Sequence, residues 1–124
     1  MTSLSNAEWD VMNVLWDRGE GSLGDVRAAL RERGSAWAAN TVQTFLTRLE
    51  KKGAVEIVRE GTHNRYRPAG QREDYARAAL SGLRERVFGG SAAGLVSALL
   101  EEEELSREEL ERLRALIDER WGEG

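Results

Sequence analysis

Between Ala38 and Gly53 the chain sets five uncharged hydrogen-bonding side chains, Asn40, Thr41, Gln43, Thr44 and Thr47, beside the cations Arg48, Lys51 and Lys52. Wound as a helix, this stretch brings Val42, Phe45, Leu46 and Leu49 into an i, i+3, i+4, i+7 stripe that needs burial. Asn40, Gln43, Thr44, Thr47 and Lys51 fall on the opposite side. Amides and hydroxyls can exchange hydrogen bonds with base edges in a major groove, and neighbouring cations can neutralise phosphates. The chemistry suggested is the reading of double-stranded DNA, with Asn40, Thr41, Gln43, Thr44 and Thr47 on bases and Arg48, Lys51 and Lys52 on phosphates. The plainer alternative is a solvated amphipathic helix whose charges only keep it soluble.

Other chemistry has little to draw on. The chain has one histidine and no cysteine, which excludes a disulfide frame, thiolate metal sites and thiol catalysis. No Ser/His/acid set, phosphate-cradling glycine loop or metal triad can be assembled, so neither an enzyme nor a cofactor or metal is expected. Glu101 to Glu104 cannot share one helix face, and His63 sits among turn residues. The tryptophans at 9, 16, 37 and 121 read as core or interface anchors. With no bilayer-length apolar run and no basic-then-apolar start, the expected location is cytoplasmic, without membrane insertion.

The net charge of −4 argues weakly against a nucleic-acid partner until it is divided along the chain. Residues 1 to 70 carry 10 basic and 9 acidic side chains, whereas residues 71 to 124 carry 8 and 13. From Trp37 to Arg67 the count is 6 basic to 3 acidic, so the most basic part contains the reading stretch.

The elements that must position that stretch are legible on both sides of it. Ser5-Asn6-Ala7-Glu8 has capping-box spacing and opens a helix from about Asn6 to Arg18, with Trp9, Met12, Leu15 and Trp16 as its apolar stripe. Ser22 is a second candidate cap, before a short helix with Leu23, Val26 and Leu30 inward and Arg27 and Arg31 outward; Gly34 ends it. After Gly53 the period changes to about two. Val55 to Glu60, turn residues Gly61 to Asn64, then Arg65-Tyr66-Arg67 up to Pro68 read as a β-hairpin. Three helices and a hairpin make a winged helix-turn-helix, with Arg65 and Arg67 in the wing, close to the DNA backbone.

From Gln71 the composition turns acidic and helical. Tyr75, Ala79, Leu83 and Val87 line a fourth helix, Leu95, Val96, Leu99 and Leu100 a fifth, and Leu110, Leu113, Ile117 and Trp121 a sixth that follows a capping box at Ser106. The predicted fold is mainly α: a winged helix-turn-helix over residues 1–70 and a three-helix dimerisation domain over residues 71–124. A segment this short buries too little surface to stand alone, so its stripes predict a homodimer through Leu95, Leu99, Leu110, Leu113, Ile117 and Trp121. Two copies would place two reading helices on a two-fold symmetric site.

Leu4 to Trp16, LSNAEWDVMNVLW, and Thr41 to Gly53, TVQTFLTRLEKKG, resemble the BlaI/MecI-type repressors, the penicillinase repressor family that also includes CopY. The resemblance continues through Arg86-Val87-Phe88, Gly94-Leu95-Val96, Glu104-Leu105-Ser106 and the run Glu109 to Arg114, nearly the whole chain. It implies a homodimeric repressor on inverted-repeat operator DNA, often at β-lactamase or penicillin-binding-protein genes. It also implies release by proteolysis in the dimerisation domain, through a membrane sensor metalloprotease or a protease that it activates. The cut bond of the drug-resistance repressors, an Asn-Phe pair, aligns with Ala98-Leu99. The copper-responsive branch carries a C-terminal cysteine cluster that is missing here. Thr41, Thr44, Thr47 and Arg48 keep the family pattern, whereas Asn40 and Gln43 stand where those repressors have cations, so a different operator sequence is expected. Two other readings remain open at this point: a winged helix that binds a protein partner, and a repressor released by a small ligand.

Overall fold

The structure, a computed structural model, describes residues 3–123. The element order is α1 (Asn6–Arg18), α2 (Leu23–Glu32), α3 (Ala39–Lys51), β1 (Val55–Glu60), β2 (His63–Pro68), α4 (Arg72–Val87), α5 (Ala92–Glu102) and α6 (Arg107–Glu123). It is the mainly helical winged arrangement expected. Local signals set most of the boundaries. Ser5 accepts from the Glu8 N–H and the Glu8 carboxylate accepts from the Ser5 N–H, a complete capping box at α1. Ser22 and Asp25 make the same reciprocal pair at α2. At the end of α3, Gly53 takes φ +79°, its N–H donates to Glu50 O, and the Ala54 N–H donates to Leu49 O. Those two bonds are a Schellman motif, which turns the chain out of α3 and into β1.

The chain divides into two compact units, one ending at Ser81 and one beginning at Gly82. In the first, Val11, Met12, Val14 and Leu15 of α1 meet Val26 and Leu30 of α2, Val42, Leu46 and Leu49 of α3, and Ala54, Val55, Tyr66 and Tyr75 in one core. The hairpin pairs antiparallel, from Val55 with Pro68 to Glu60 with His63. Its turn is Gly61-Thr62 alone, tighter than the four residues expected, with Gly61 at φ +61° in the position where a two-residue turn of the II′ type calls for glycine.

The expected division at residue 70 falls short of this unit's end, because the start of α4 is fastened to α1. Tyr75 is buried, with its ring centroid 5.8 Å from that of Trp16. Trp16 Nε1 donates to Gly70 O at 2.8 Å, and Arg72 donates to Asn13 and Asp17 while covering the Trp16 ring. The change of composition at Gln71 marks the start of a helix, not the edge of the core.

In the second unit no described residue of α5 or α6 is buried. Leu99, Leu100, Leu110, Leu116, Ile117 and Trp121 are exposed, Trp121 by 84%. No helix among the described residues is long and apolar enough to cross a membrane.

Candidate nucleic-acid interface

Burial along α3 follows the helical period. Val42, Leu46 and Leu49 are buried, and Asn40, Thr44, Arg48 and Lys51 are exposed on the far side. Thr47 adjoins that face, half-buried. Thr41 and Gln43 stand on its two flanks, and Phe45, expected in the buried stripe, lies at the edge of the core against Trp37, with ring centroids 5.2 Å apart. The turn into α3 is held by Arg27, whose Nε donates to Trp37 O at 3.0 Å. Arg27 was expected on the outer side of α2. It instead ties α2 to the turn that leads into α3.

The hydroxyls on the exposed face have their protons committed. Thr44 Oγ1 donates to Asn40 O and Thr47 Oγ1 donates to Gln43 O, each at 2.9 Å. Such back-bonded threonines keep oxygen lone pairs and methyl groups for a partner, so they can accept from a base amino group or pack on a thymine methyl. The Asn40 side chain makes no hydrogen bond among the described residues. Gln43 is engaged with the Tyr66 hydroxyl.

The cations fall into two groups. Arg48 and Lys51 are exposed and make no ion pair among the described residues, as phosphate contacts require. Lys52, expected beside them, turns away: its Nζ lies 2.6 Å from Glu8 Oε1 and also donates to Ser3 O. Glu8 is 2% exposed. Burial alone would raise its carboxyl pKa, but the Lys52 ammonium and the Ser5 N–H and hydroxyl outweigh that and hold it below the ordinary value. Lys52 is therefore bound to the first turn of α1, where it compensates a buried carboxylate.

The wing departs from expectation in a similar way. Arg65 pairs with Glu20 at 2.9 Å and Arg67 with Glu56 at 3.2 Å, both in solvent. Strand alternation puts them on the face opposite Tyr66, which is buried. On Tyr66's own face, towards the tip, stand Arg59 and Asn64, paired across the hairpin. Arg59 is exposed and has no ion pair among the described residues. Sequence reasoning passed over it; the alternation of β1 set against the buried Tyr66 was the available signal. Tyr66 also exchanges backbone hydrogen bonds with Gly21, at 2.8 and 2.9 Å, which joins the wing to the segment that leads into α2. Gln43, Tyr66, Asn64, His63, Thr62 and Ser22 line a cleft of about 290 Å³ there.

Of the residues expected to dimerise, Leu113, Ile117 and Trp121 line an open apolar groove of about 940 Å³ with Val96, Leu100 and Leu116. Leu99 and Leu110 are exposed and Leu95 half-buried. Ala98 and Leu99 lie inside α5.

A family model described as "Penicillinase repressor" matches residues 4–119. The penicillinase repressor of Bacillus licheniformis is 33% identical over 116 residues, covering 94% of this chain and 90% of that protein. The methicillin resistance regulatory protein MecI of Mammaliicoccus sciuri is 27% identical over 117 residues, 94% of each. Among solved structures, the monomeric form of Bacillus licheniformis BlaI in complex with the blaP half-operator superposes with a TM-score of 0.51 at 36% identity, over 60% of this chain and 89% of that one.

Proposed function

The chain belongs to the penicillinase repressor family, and from that premise we propose that it represses β-lactam-resistance or cell-wall genes as a cytoplasmic homodimer on an inverted-repeat operator. The observation that carries the DNA-binding part is the outer side of α3, where Asn40, Thr44, Arg48 and Lys51 are exposed while Val42, Leu46 and Leu49 hold the helix to the core. In this reading α3 enters the major groove. Asn40, Thr41, Gln43, Thr44 and Thr47 meet base edges, and Arg48 and Lys51 neutralise phosphates. Arg65 and Arg67 reach the backbone only by giving up exposed ion pairs, which are worth little. Lys52 has a structural part, in place of the phosphate contact first expected.

What supports the homodimer is the location of the exposed large apolar side chains. All of them among the described residues lie at or after Leu80. A second copy that covers the α5 and α6 faces removes that surface from water, and each half-site then holds the other subunit at high effective concentration. Release by proteolysis, through a membrane sensor metalloprotease or a protease it activates, would act at Ala98-Leu99. That bond is inside α5, so cleavage requires α5 to open locally first.

The test is binding of the full chain to its own upstream intergenic DNA and to a scrambled duplex across a salt series. Tight, two-fold symmetric protection of the first alone is expected, with affinity falling steeply as salt rises. Equal weak binding to both duplexes, or a response flat in salt, would reject the repressor reading in favour of a protein partner.

A further inference from the structure

Strand alternation divides the charge of the wing unequally between its two faces. Glu56, Val58 and Glu60 of β1 stand on one face with their ladder partners Arg67, Arg65 and His63 of β2. Carboxylates neutralise the guanidiniums there: Arg67 pairs with Glu56, and Arg65 with Glu20 from outside the hairpin. The other face carries Val55, Ile57 and Arg59 with Pro68, Tyr66 and Asn64, and Arg59 is its only charge. Arg59 is exposed and makes neither an ion pair nor a side-chain hydrogen bond among the described residues.

The Arg59 face is also the one turned to α3. On it the Tyr66 hydroxyl lies 3.1 and 3.4 Å from the two polar atoms of the Gln43 amide, on the flank of α3. Arg59 and Asn64 are the next pair on that face, two residues along each strand and so about 7 Å nearer the tip. A helix seated in a major groove has a phosphate backbone on either side of it, within reach of a wing beside the helix.

We propose, on the reading that α3 enters the major groove, that Arg59 is the phosphate contact of the wing, the part first expected of Arg65 and Arg67. Arg65 and Arg67 lose little by leaving their exposed ion pairs, but the carboxylates stay behind. A phosphate drawn to that face meets Glu56, Glu60 and Glu20 as well, and like charge repels it. Arg59 has no pair to break and no acid on its face. Its planar fork can donate two N–H bonds to phosphate oxygens, displacing counterions from the duplex.

The experiment measures binding of the full chain to its upstream intergenic duplex across a salt series. Wild type, Arg59→Gln, Arg59→Lys, Arg65→Gln and Arg67→Gln are compared, with thermal unfolding of each. Arg59→Gln should reduce the slope of log affinity against log salt by about one unit per bound subunit, with the melting temperature unchanged. Arg59→Lys, Arg65→Gln and Arg67→Gln should each keep the wild-type slope.

An undiminished slope in Arg59→Gln overturns the assignment and leaves the repressor reading standing, because wild type still responds steeply to salt. An equal loss in Arg65→Gln or Arg67→Gln overturns it too, since the wing then holds phosphate from its other face. A wild type flat in salt removes the DNA reading itself, and the Arg59 contact with it. Phosphate ethylation supplies a second measurement. One ethylated phosphate beside the bases under α3 should hinder wild type and not Arg59→Gln; identical interference in the two proteins would overturn the proposal.

Discussion

Lys52 Nζ lies 2.6 Å from Oε1 of Glu8, a link across 44 residues that ties the C-terminal end of α3 to the first turn of α1. Its neighbour Lys51 is exposed and unpaired among the described residues. Adjacent lysines therefore separate into two roles. Lys51→Ala should weaken binding to every duplex and reduce the salt slope by about one unit, with the melting temperature unchanged. Lys52→Ala should leave the slope alone and cost about 1–3 kcal/mol of stability, because the Glu8 carboxylate stays buried without its cation. Denaturant titration and a salt series on both variants decide the matter; equal slopes for the two would remove the distinction.

The same pair sets an acid limit. The folded-state pKa of Glu8 lies below its ordinary 4.5, so the unfolded chain takes up the proton first as pH falls. The stabilisation is complete above about pH 4.5 and is lost as pH drops through the lower folded value. Asp17 beside Arg72 and Arg33, and Asp25 at its Ser22 cap, are lowered too and add to the same slope. Urea midpoints measured from neutral pH to pH 3 should fall in the acid range, less steeply in Glu8→Gln, which begins less stable. A Glu8→Gln curve parallel to wild type would show that Glu8 is not a source of the acid sensitivity.

A fragment ending at Ser81 should fold as a monomer and bind the operator far more weakly than the whole chain, since avidity from the second subunit is lost. A fragment ending at Gly70 should be less stable by about 2–3 kcal/mol, roughly the contribution of burying one large apolar side chain, because it lacks Tyr75. Urea unfolding of the two fragments gives the difference. Equal midpoints would return the domain edge to residue 70, and operator affinity equal to that of the full chain would remove the need for a dimer.

Ile117 is 58% exposed and lines the apolar groove of α5 and α6. Ile117→Glu should convert a dimer to a monomer in sedimentation and shift operator binding to much higher protein concentration, with the unfolding of the first unit unchanged. A variant that still sediments as a dimer would move the interface away from this groove.

What was legible in the sequence was local. Ser5 with Glu8, and Ser22 before its helix, mark their helices within four residues, and the period change after Gly53 marks the hairpin. The buried stripe of α3 followed from spacing alone, save for Phe45 at its edge. The allocation of the charges was not legible, because it depends on partners far along the chain. Lys52 meets Glu8, Arg65 meets Glu20 and Arg72 meets Asp17 only once α1, the wing and α4 have packed. Tyr66 was placed in a strand correctly, yet nothing in its neighbours announces that its hydroxyl would meet Gln43.

The bridge from Gly21 to Tyr66 has a mechanical side. It ties hairpin, helix entrance and core together in the manner of a caliper, with α3 and the wing as its jaws. A duplex held by both jaws would have to fit their spacing. Base pairs lying between the jaws, untouched by any side chain, would be sorted by how cheaply they bend or narrow a groove, and flexible pyrimidine–purine steps would be admitted more readily than stiff tracts.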